Sequence, residues 1–206
     1  MYRPILAAVL LLNSPWVFAE TDVQTLVEES RDIIQTFSKH LQSELQAAMQ
    51  DGGPVNAIGV CKTRAPAIAA ELSANGWAVK RTSLKPRNPL NSPDAFEKET
   101  LNDFESKKQQ GWSIEKLQYY KLNEVGSQAE FRYMQAIPTR ALCLTCHGEN
   151  ISSDILARLD ASYPDDKARG YQAGDIRGAF SLRKRFRIEP VEEHDPQAAI
   201  SSLTAH

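Results

Sequence analysis

The pentapeptide Cys143-Leu144-Thr145-Cys146-His147 constrains the fold of this chain more than any other feature. It has the C-x-x-C-H spacing with which two thiols add across the vinyl groups of a haem while the adjacent imidazole binds the iron. One helical turn brings residues i and i+3 to the same side, so both sulfurs reach one porphyrin edge. We therefore expect one covalently attached haem c, held by Cys143 and Cys146, with His147 as an iron ligand.

Two other uses of paired cysteines compete with haem attachment. A thioredoxin-like redox pair belongs to a βαβ unit, and the residues around the motif show no such pattern. Half of a zinc site would need a second cysteine pair, whereas the chain has 3 cysteines in all. Haem attachment is the better explanation of the spacing.

The N-terminus has the pattern of a secretory signal peptide over residues 1–19. A cationic start at Arg3 precedes an apolar run over 5–12, and Val17-Phe18-Ala19 provides a small-x-small cleavage site. An uncleaved anchor is the alternative, but the run is shorter than the roughly 20 apolar residues that span a bilayer. Because haem thioethers form outside the bacterial cytoplasm, the signal and the motif agree. We expect a periplasmic protein that is not inserted in the membrane after cleavage.

Hydrophobic periodicity predicts an α+β fold with a long N-terminal helix. Apolar residues recur every three or four positions over 22–50, and Gly52-Gly53 separate this helix from a second stretch over 55–72, which Pro66 is expected to split. Further helices are expected at 94–110 and 152–163, an irregular loop at 85–93, and β-strands at 77–83, 119–125, 129–137 and 176–188. Gly126-Ser127 is expected to form a hairpin turn between the two middle strands.

The chain is expected to form one domain over residues 20–187, followed by a flexible tail over 188–206. Its 206 residues fit a single core of ordinary size. The tail is acidic, then small and polar, and has no periodic apolar face. A net charge of -2 gives no electrostatic reason to bind nucleic acid, which is therefore not expected as a partner.

The motif does not fix the ligand on the other side of the iron. Electron-transfer cytochromes c supply a methionine from a segment after the motif, whereas Met1, Met49 and Met134 all precede it. The remaining candidates are an open site and five side chains: His40, Met49, Cys61, Met134 and His194. Both internal methionines are more typical of core filling. His40 is more typical of a helix surface, and His194 lies in the expected tail.

Cys61 ranks first among these candidates. With Cys143 and Cys146 bound to haem, it has no disulfide partner in its own chain, in a compartment that oxidises exposed thiols. A bond to iron would explain a free cysteine there. A small buried apolar side chain explains it equally well, so the residues alone leave both interpretations open.

Four segments together resemble the c-type haem PAS-like sensor domain family, also described as domain of unknown function 3365. They are Ile-Gly-Val-Cys at 58–61, Arg-Thr-Ser at 81–83 leading to Pro-Arg-Asn-Pro-Leu-Asn at 86–91, the haem motif with its following glycine, and Gly-Asp-Ile-Arg-Gly-Ala-Phe-Ser at 174–181. The resemblance covers most of 22–187 and implies a PAS-like antiparallel sheet flanked by helices. It also implies histidine and cysteine as axial ligands, since Cys61 matches the helical cysteine of the family. Members occur as exported single-haem proteins and as haem sensor domains of histidine kinases.

The expected function is that of a redox- or gas-responsive haem module. A thiolate opposite His147 favours ferric iron, and reduction weakens the iron–sulfur bond, which would open a site for carbon monoxide or nitric oxide. The alternative is a one-electron transfer cytochrome c, whose haem stays six-coordinate and exchanges electrons with an unidentified redox partner protein. Enzyme activity of the peroxidase or oxygenase type is not expected, since no distal acid–base arrangement is recognisable.

Three arginines are candidates for pairing with the haem propionates: Arg81, Arg87 and Arg140. A guanidinium presents two parallel N–H donors that match the geometry of a carboxylate. A solvated surface position explains each of the three arginines equally well, so the sequence does not choose between these roles.

Overall fold

The structure, a computed structural model, describes residues 17–187, with side chains from residue 23 onward. Most of the predicted signal peptide and the whole predicted tail, including His194 and the last residue of the predicted final strand, lie outside the described residues. None of the helices within 17–187 combines the length and the apolar character that crossing a membrane requires.

Helix α1 spans Val17–Glu71 and is interrupted by two glycines. Gly52 has φ -147° and ψ 15°, and Gly53 has φ 69° and ψ -164°, so the backbone leaves the helical region at both residues. Glycine adopts the positive φ of residue 53 without the steric cost that a side chain would add. The interruption divides α1 into a first arm, residues 17–51, and a second arm, residues 54–71, which confirms the two predicted helical stretches.

The predicted split of the second arm at Pro66 is wrong, because the arm stays helical through this residue. An interior proline costs about 3 kcal/mol, since it removes one backbone hydrogen bond and crowds the preceding turn. Ala65 and Ile68, on either side of it, are each 1% exposed. Burial of one such isoleucine stabilises the fold by about 1.5–3 kcal/mol, so packing offsets the local cost.

Four antiparallel strands form one sheet in the order β1-β4-β3-β2 within the described chain. Their bounds are Trp77–Thr82 for β1, Gln118–Val125 for β2, Gln128–Pro138 for β3 and Ile176–Arg187 for β4. Each of them confirms a predicted strand. Gly126, with φ 61°, is the first residue of the two-residue turn between β2 and β3, as the predicted hairpin requires.

Three shorter α-helices complete the described fold: α2 at Ala95–Gln109, α3 at Leu144–His147 and α4 at Ser153–Ser162. The first and last confirm the predicted helices, and α3 belongs to the motif. Helix α2 begins in a capping box, in which Asp94 Oδ1 accepts from the Glu97 N–H at 2.8 Å and Glu97 Oε2 accepts from the Asp94 N–H at 3.0 Å. Short 3₁₀ turns at Pro89–Asn91, Ile114–Lys116 and Ala141–Cys143 were not predicted.

Helices cover both faces of the sheet. On one face, Phe131 and Tyr133 of β3 share a core with Phe37 of the first arm. On the other face, Met134 of β3 shares a core with Phe104 of α2. This alternation follows the two-residue period of a strand. The predicted α+β class, with a PAS-like antiparallel sheet flanked by helices, is confirmed.

A third, smaller core joins the segment after the motif to the second arm of α1. Ile155 and Leu159 of α4 pack with Ile58 of the second arm, and Cys146 packs against this cluster. Cys61 lies three residues after Ile58, one turn further along the same arm. The packing of α4 therefore brings the motif next to the part of α1 that carries the third cysteine.

Candidate functional site

A largely apolar cavity lies between the two arms of α1, the loop after β1, the motif and the start of β4. Its lining includes all three cysteines of the chain together with His147. None of the three cysteines forms a disulfide. Three arginines also line it, and no aspartate or glutamate does among the described residues. The cavity therefore combines thiols, an imidazole and cationic groups in an apolar setting.

The motif itself forms one right-handed turn. Cys143 ends the 3₁₀ turn and already has helical dihedral angles, φ -66° and ψ -29°, and α3 follows it directly. Gly148 ends the turn by donating its N–H to the Leu144 carbonyl at 2.9 Å, and a Cβ at this glycine would lie 2.6 Å from that oxygen. This turn places both thiols and the imidazole of His147 along one cavity, which is the convergence that the spacing predicts.

The His147 ring is held in a defined orientation by a backbone carbonyl. Its Nδ1 lies 2.8 Å from the Ala168 carbonyl oxygen, which accepts only, so Nδ1 carries the proton and donates it. Burial lowers the pKa of His147 well below its usual value, and the nearby Arg177 and Arg87 lower it further. The neutral ring therefore presents the lone pair of Nε2, where the Arg177 Nε donates over 3.5 Å. Histidines that bind metals commonly donate their second ring N–H in this way.

Arg87 forms hydrogen bonds both to the motif and to the segment that follows it. Its Nη2 donates to the carbonyls of Cys146 and Ala168, and its Nε donates to Asp166 Oδ1 at 3.1 Å. The same Ala168 carbonyl accepts from the His147 ring. Arg87 is thus a positioning residue for the imidazole, because it orients the carbonyl that orients the ring.

Cys61 lies on the second arm, half-buried, on the cavity wall with the motif. Burial raises the pKa of Cys146, the neighbouring Arg87 lowers it, and the nearby Cys61 and Cys143 raise it. This effect on Cys146 places the Cys61 thiol in the electrostatic neighbourhood of the motif. The structure therefore brings together the four residues that the sequence singled out as haem attachment points and iron ligands.

Comparison with known proteins identifies the family. The family model described as Tll0287-like matches residues 19–184. The chain belongs to the Tll0287-like family. Among solved structures, the cyanobacterial haem protein Tll0287 is similar with a TM-score of 0.55 and 23% sequence identity, over 79% of this chain and 93% of that chain. At this level of identity the likeness supports the fold. A search of curated proteins finds no match. The family expected from the four sequence segments is confirmed.

The other axial-ligand candidates of this Tll0287-like chain are not equally placed. Met49 lines the cavity from the end of the first arm. Met134 is fully buried in the core between the sheet and α2, which confirms its expected role as core filling. His40 is exposed on the first arm and does not line the cavity. Among the residues that the structure describes, Cys61 and Met49 are thus the predicted candidates that share the cavity with His147.

The three arginines predicted to pair with propionates also differ. Arg81 lines the cavity from β1. Arg87 lines it too, but its Nε already pairs with Asp166, and two backbone carbonyls accept from its Nη2. Arg140 is exposed, precedes the 3₁₀ turn and is not part of the lining. The structure does not bring Arg140 to the cavity, because the turn that starts after it faces the thiols inward and leaves residue 140 outside.

Arg177 was missed by the sequence analysis. It lies on β4, lines the cavity, donates to His147 Nε2 and donates from Nη1 to Ser83 Oγ at 3.3 Å. The signal that was present is its position in the family-like segment at 174–181. An arginine between Ile176 and Gly178 in a predicted strand is notable, because a charge that such a strand buries needs a partner.

The donor set fits a covalently bound haem. Two thiols one turn apart match the two porphyrin vinyl groups, and the imidazole has one nitrogen fixed and the other available. The apolar lining suits the porphyrin face, and the arginines suit its carboxylates. An iron bound at Nε2 would use the same lone pair as Arg177, so the guanidinium would turn to another acceptor.

Proposed function

We propose that this protein binds one haem c covalently, through Cys143 and Cys146, with His147 Nε2 as an iron ligand. The proposal is carried by the bond between His147 Nδ1 and the Ala168 carbonyl, which leaves Nε2 unprotonated on a cavity shared with both thiols. Burial and two nearby guanidiniums keep the ring neutral, and only a neutral imidazole binds a metal. The haem supplies one-electron redox chemistry and a site for small ligands.

Cys61 is proposed as the second axial ligand. It lies on the cavity wall near the motif, has no disulfide partner among the described residues, and occupies the position of the helical cysteine that the family resemblance implies. A thiolate places negative charge on the iron and thereby favours the ferric state. The iron–sulfur bond that Cys61 would form would weaken on reduction. Met49 is the alternative protein ligand, because it lines the same cavity.

A redox- or gas-responsive module is the role that this ligand pair supports best. Release of Cys61 on reduction would open a coordination position for carbon monoxide or nitric oxide. A one-electron carrier is the second candidate, favoured by a haem that keeps both ligands in both oxidation states. We propose no enzyme activity, since the described lining holds no carboxylate that would serve as a distal acid or base. Export through residues 1–19 to the periplasm is part of the proposal, because haem thioethers form there.

The test uses the protein matured with haem in a periplasmic expression system. The haem of wild type, Cys143→Ala, Cys146→Ala and Cys61→Ala is quantified after denaturation and solvent extraction, which removes haem that is not covalently bound. Wild type and Cys61→Ala should keep one haem. The motif variants should lose the two-thioether attachment, which is visible in the reduced pyridine spectrum of the denatured protein.

Ligation is then read from optical and electron paramagnetic resonance spectra of the ferric proteins. Wild type should give a low-spin thiolate signature that Cys61→Ala lacks, whereas Met49→Leu, a matched change at the other candidate that lines the cavity, should retain it. Identical spectra of wild type and Cys61→Ala would exclude the thiolate. Carbon monoxide added after dithionite reduction should bind rapidly to wild type if the role is sensing, and should fail to bind if the protein is an electron carrier.

A further inference from the structure

The cavity holds more positive charge than its protein partners compensate. Three arginines line it, and no acidic side chain does among the described residues. Arg87 is accounted for, because it pairs with the buried Asp166. Arg81 and Arg177 take part in no ion pair in the part of the chain that the structure describes.

Arg81 lies on the Cys61 side of the cavity. Its guanidinium stands 5.5 Å from the centre of the Phe37 ring, and its charge interacts with the Cys61 thiol and with Tyr163. Burial lowers the pKa of Arg81, and the side chain lines the cavity. An aromatic face attracts a cation only weakly compared with a carboxylate, so this contact does not replace a counter-ion.

Arg177 lies on the His147 side. Its polar contacts are with neutral groups: Nε2 of His147 at 3.5 Å, Oγ of Ser83 at 3.3 Å, and the Tyr171 ring, whose centre is 5.3 Å from the guanidinium carbon. Burial lowers the pKa of Arg177, and the charges of Arg87 and Arg81 act in the same direction. A guanidinium remains charged in proteins, so it needs an anion rather than deprotonation.

We propose that Arg81, from the Cys61 side of the cavity, and Arg177, from the His147 side, each bind one carboxylate, and that these two carboxylates are the haem propionates. The inference rests on the proposed haem site and goes beyond it by assigning the counter-ions. Two arginines that line the cavity without acidic partners can each pair with one carboxylate of a ligand that carries two. Of the arginines predicted from sequence, Arg81 is retained, while Arg177 takes the place of Arg87 and Arg140.

The pair also sets the charge of the haem site. A ferric porphyrin core carries one positive charge, two propionates and the Cys61 thiolate together carry three negative charges, and the two guanidiniums carry two positive ones. The ferric site is then neutral, and reduction leaves it with one negative charge. Removing either guanidinium makes the reduced site still more negative, so the equilibrium constant for reduction should fall.

The experiment compares Arg81→Gln and Arg177→Gln with Arg140→Gln, a matched change at an exposed arginine outside the cavity. Covalent haem is quantified in the denatured proteins, and the reduction potential is measured spectroelectrochemically at fixed pH and ionic strength. Each cavity variant should lower the equilibrium constant for reduction about tenfold, a shift of about 59 mV for one electron. Arg81→Lys and Arg177→Lys should recover part of this loss, because lysine restores the positive charge but not the two parallel N–H donors of a guanidinium.

The outcomes separate this inference from the haem proposal. Wild type without covalent haem contradicts the haem site itself. One haem in every variant, with potentials and propionate bending modes in resonance Raman spectra equal to those of Arg140→Gln, overturns the arginine assignment. A soluble dicarboxylate is the other source of the same chemistry. If succinate shifts the wild-type potential and this response disappears in the cavity variants, the pair binds a free anion, and the propionate assignment is wrong.

Discussion

At the scale of single residues, Asp166 stabilises the segment that packs against the motif at residues 143–147. It accepts hydrogen bonds from Arg87, from Arg169 and from the Ala168 N–H. Burial raises the pKa of Asp166, but the hydrogen bonds from Arg87, Arg169 and the Ala168 N–H, together with the charge of Arg87, lower it more, so the net pKa lies below its usual value. Through Arg87 and Ala168, this carboxylate supports the carbonyl that orients His147.

Replacing Asp166 by asparagine should therefore destabilise the protein strongly. Arg87 is 7% and Asp166 1% exposed, and breaking a buried ion pair leaves an uncompensated charge. We expect the free energy of unfolding, from urea titration of the haem-loaded protein, to fall by about 3 kcal/mol. Asp160→Asn is the matched control, because Asp160 pairs with Arg169 but is 65% exposed, and it should cost less than about 1 kcal/mol. Equal losses in the two variants would contradict this account.

Sequence alone identified the residues whose chemistry is unusual and missed those whose importance depends on distant partners. The cysteine spacing predicted that Cys143, Cys146 and His147 converge. Asp166 and Arg177 remained unrecognised, since their partners lie 79 and 30 residues away in the chain. Arg140 was selected because a guanidinium suits a carboxylate, but the direction of the turn that follows it decides whether its side chain faces the cavity.

At the scale of elements, the contact between β1 and β4 depends on Gly178. Gly178 has φ 156°, and a Cβ at this position would lie 2.3 Å from the Thr82 carbonyl oxygen and 3.1 Å from Ser83 Cβ. Its strand neighbour Arg177 faces the cavity, and Thr82 and Ser83 line it. The glycine thus allows β1 and β4 to approach closely next to Arg177, one of the two arginines proposed to bind the propionates.

Gly178→Ala should separate these strands. The new methyl group would displace backbone rather than a flexible side chain, so we expect the free energy of unfolding to fall by about 2–4 kcal/mol. Gly111→Ala is the control for backbone strain alone, because Gly111 has φ 88° and a methyl group added there would meet nothing within 4 Å. It should cost about 1–2 kcal/mol. Urea unfolding of both variants checks the difference, and a cost for Gly178→Ala no larger than for Gly111→Ala would argue against the close approach.

Residue patterns and turn residues in the sequence predicted which segments are helices and which are strands. They did not predict that the helix continues through Pro66, nor that the 3₁₀ turns form. The two middle strands are rich in aromatic and branched residues, and Gly52-Gly53 and Gly126 mark a break and a turn through their own backbone freedom. Pro66 stays inside a helix because Ala65 and Ile68 are buried. Such tertiary burial is not encoded in a local pattern, and neither is the packing of Ile114–Lys116 next to β3.

At the scale of the whole molecule, stability should be greatest between acidic and alkaline limits set by different groups. Several carboxyl groups have pKa values below their usual range. For Asp94, burial raises the pKa, but the hydrogen bonds from Arg132 and from the Glu97 N–H, together with the charges of Arg132 and Lys80, lower it more. Asp175 is shifted down in the same way, with Lys108 as its partner. For tyrosines the direction is opposite: burial, assisted by the nearby Cys61, raises the pKa of Tyr163 to about 12.

These shifts predict the sign of the pH dependence on both sides. The carboxyl groups bind protons more readily in the unfolded chain, so their contribution is present above the usual aspartate pKa of 3.8 and is lost as the pH falls through their lower native values. Tyr163 loses its proton more readily when unfolded. Its contribution is complete below pH 10.0, the usual pKa, and is lost as the pH rises towards about 12.

Tyr163→Phe tests the alkaline side, because phenylalanine keeps the ring and removes the titrating hydroxyl. The free energy of unfolding, measured by urea titration at a series of pH values, should decline less steeply above pH 10.0 in this variant than in wild type. Tyr119→Phe, at a ring that is 42% exposed, controls for the loss of one hydroxyl at the surface. If Tyr163→Phe and wild type decline in parallel, the buried tyrosine beside the cavity does not couple folding to pH, and the alkaline limit must arise from other groups.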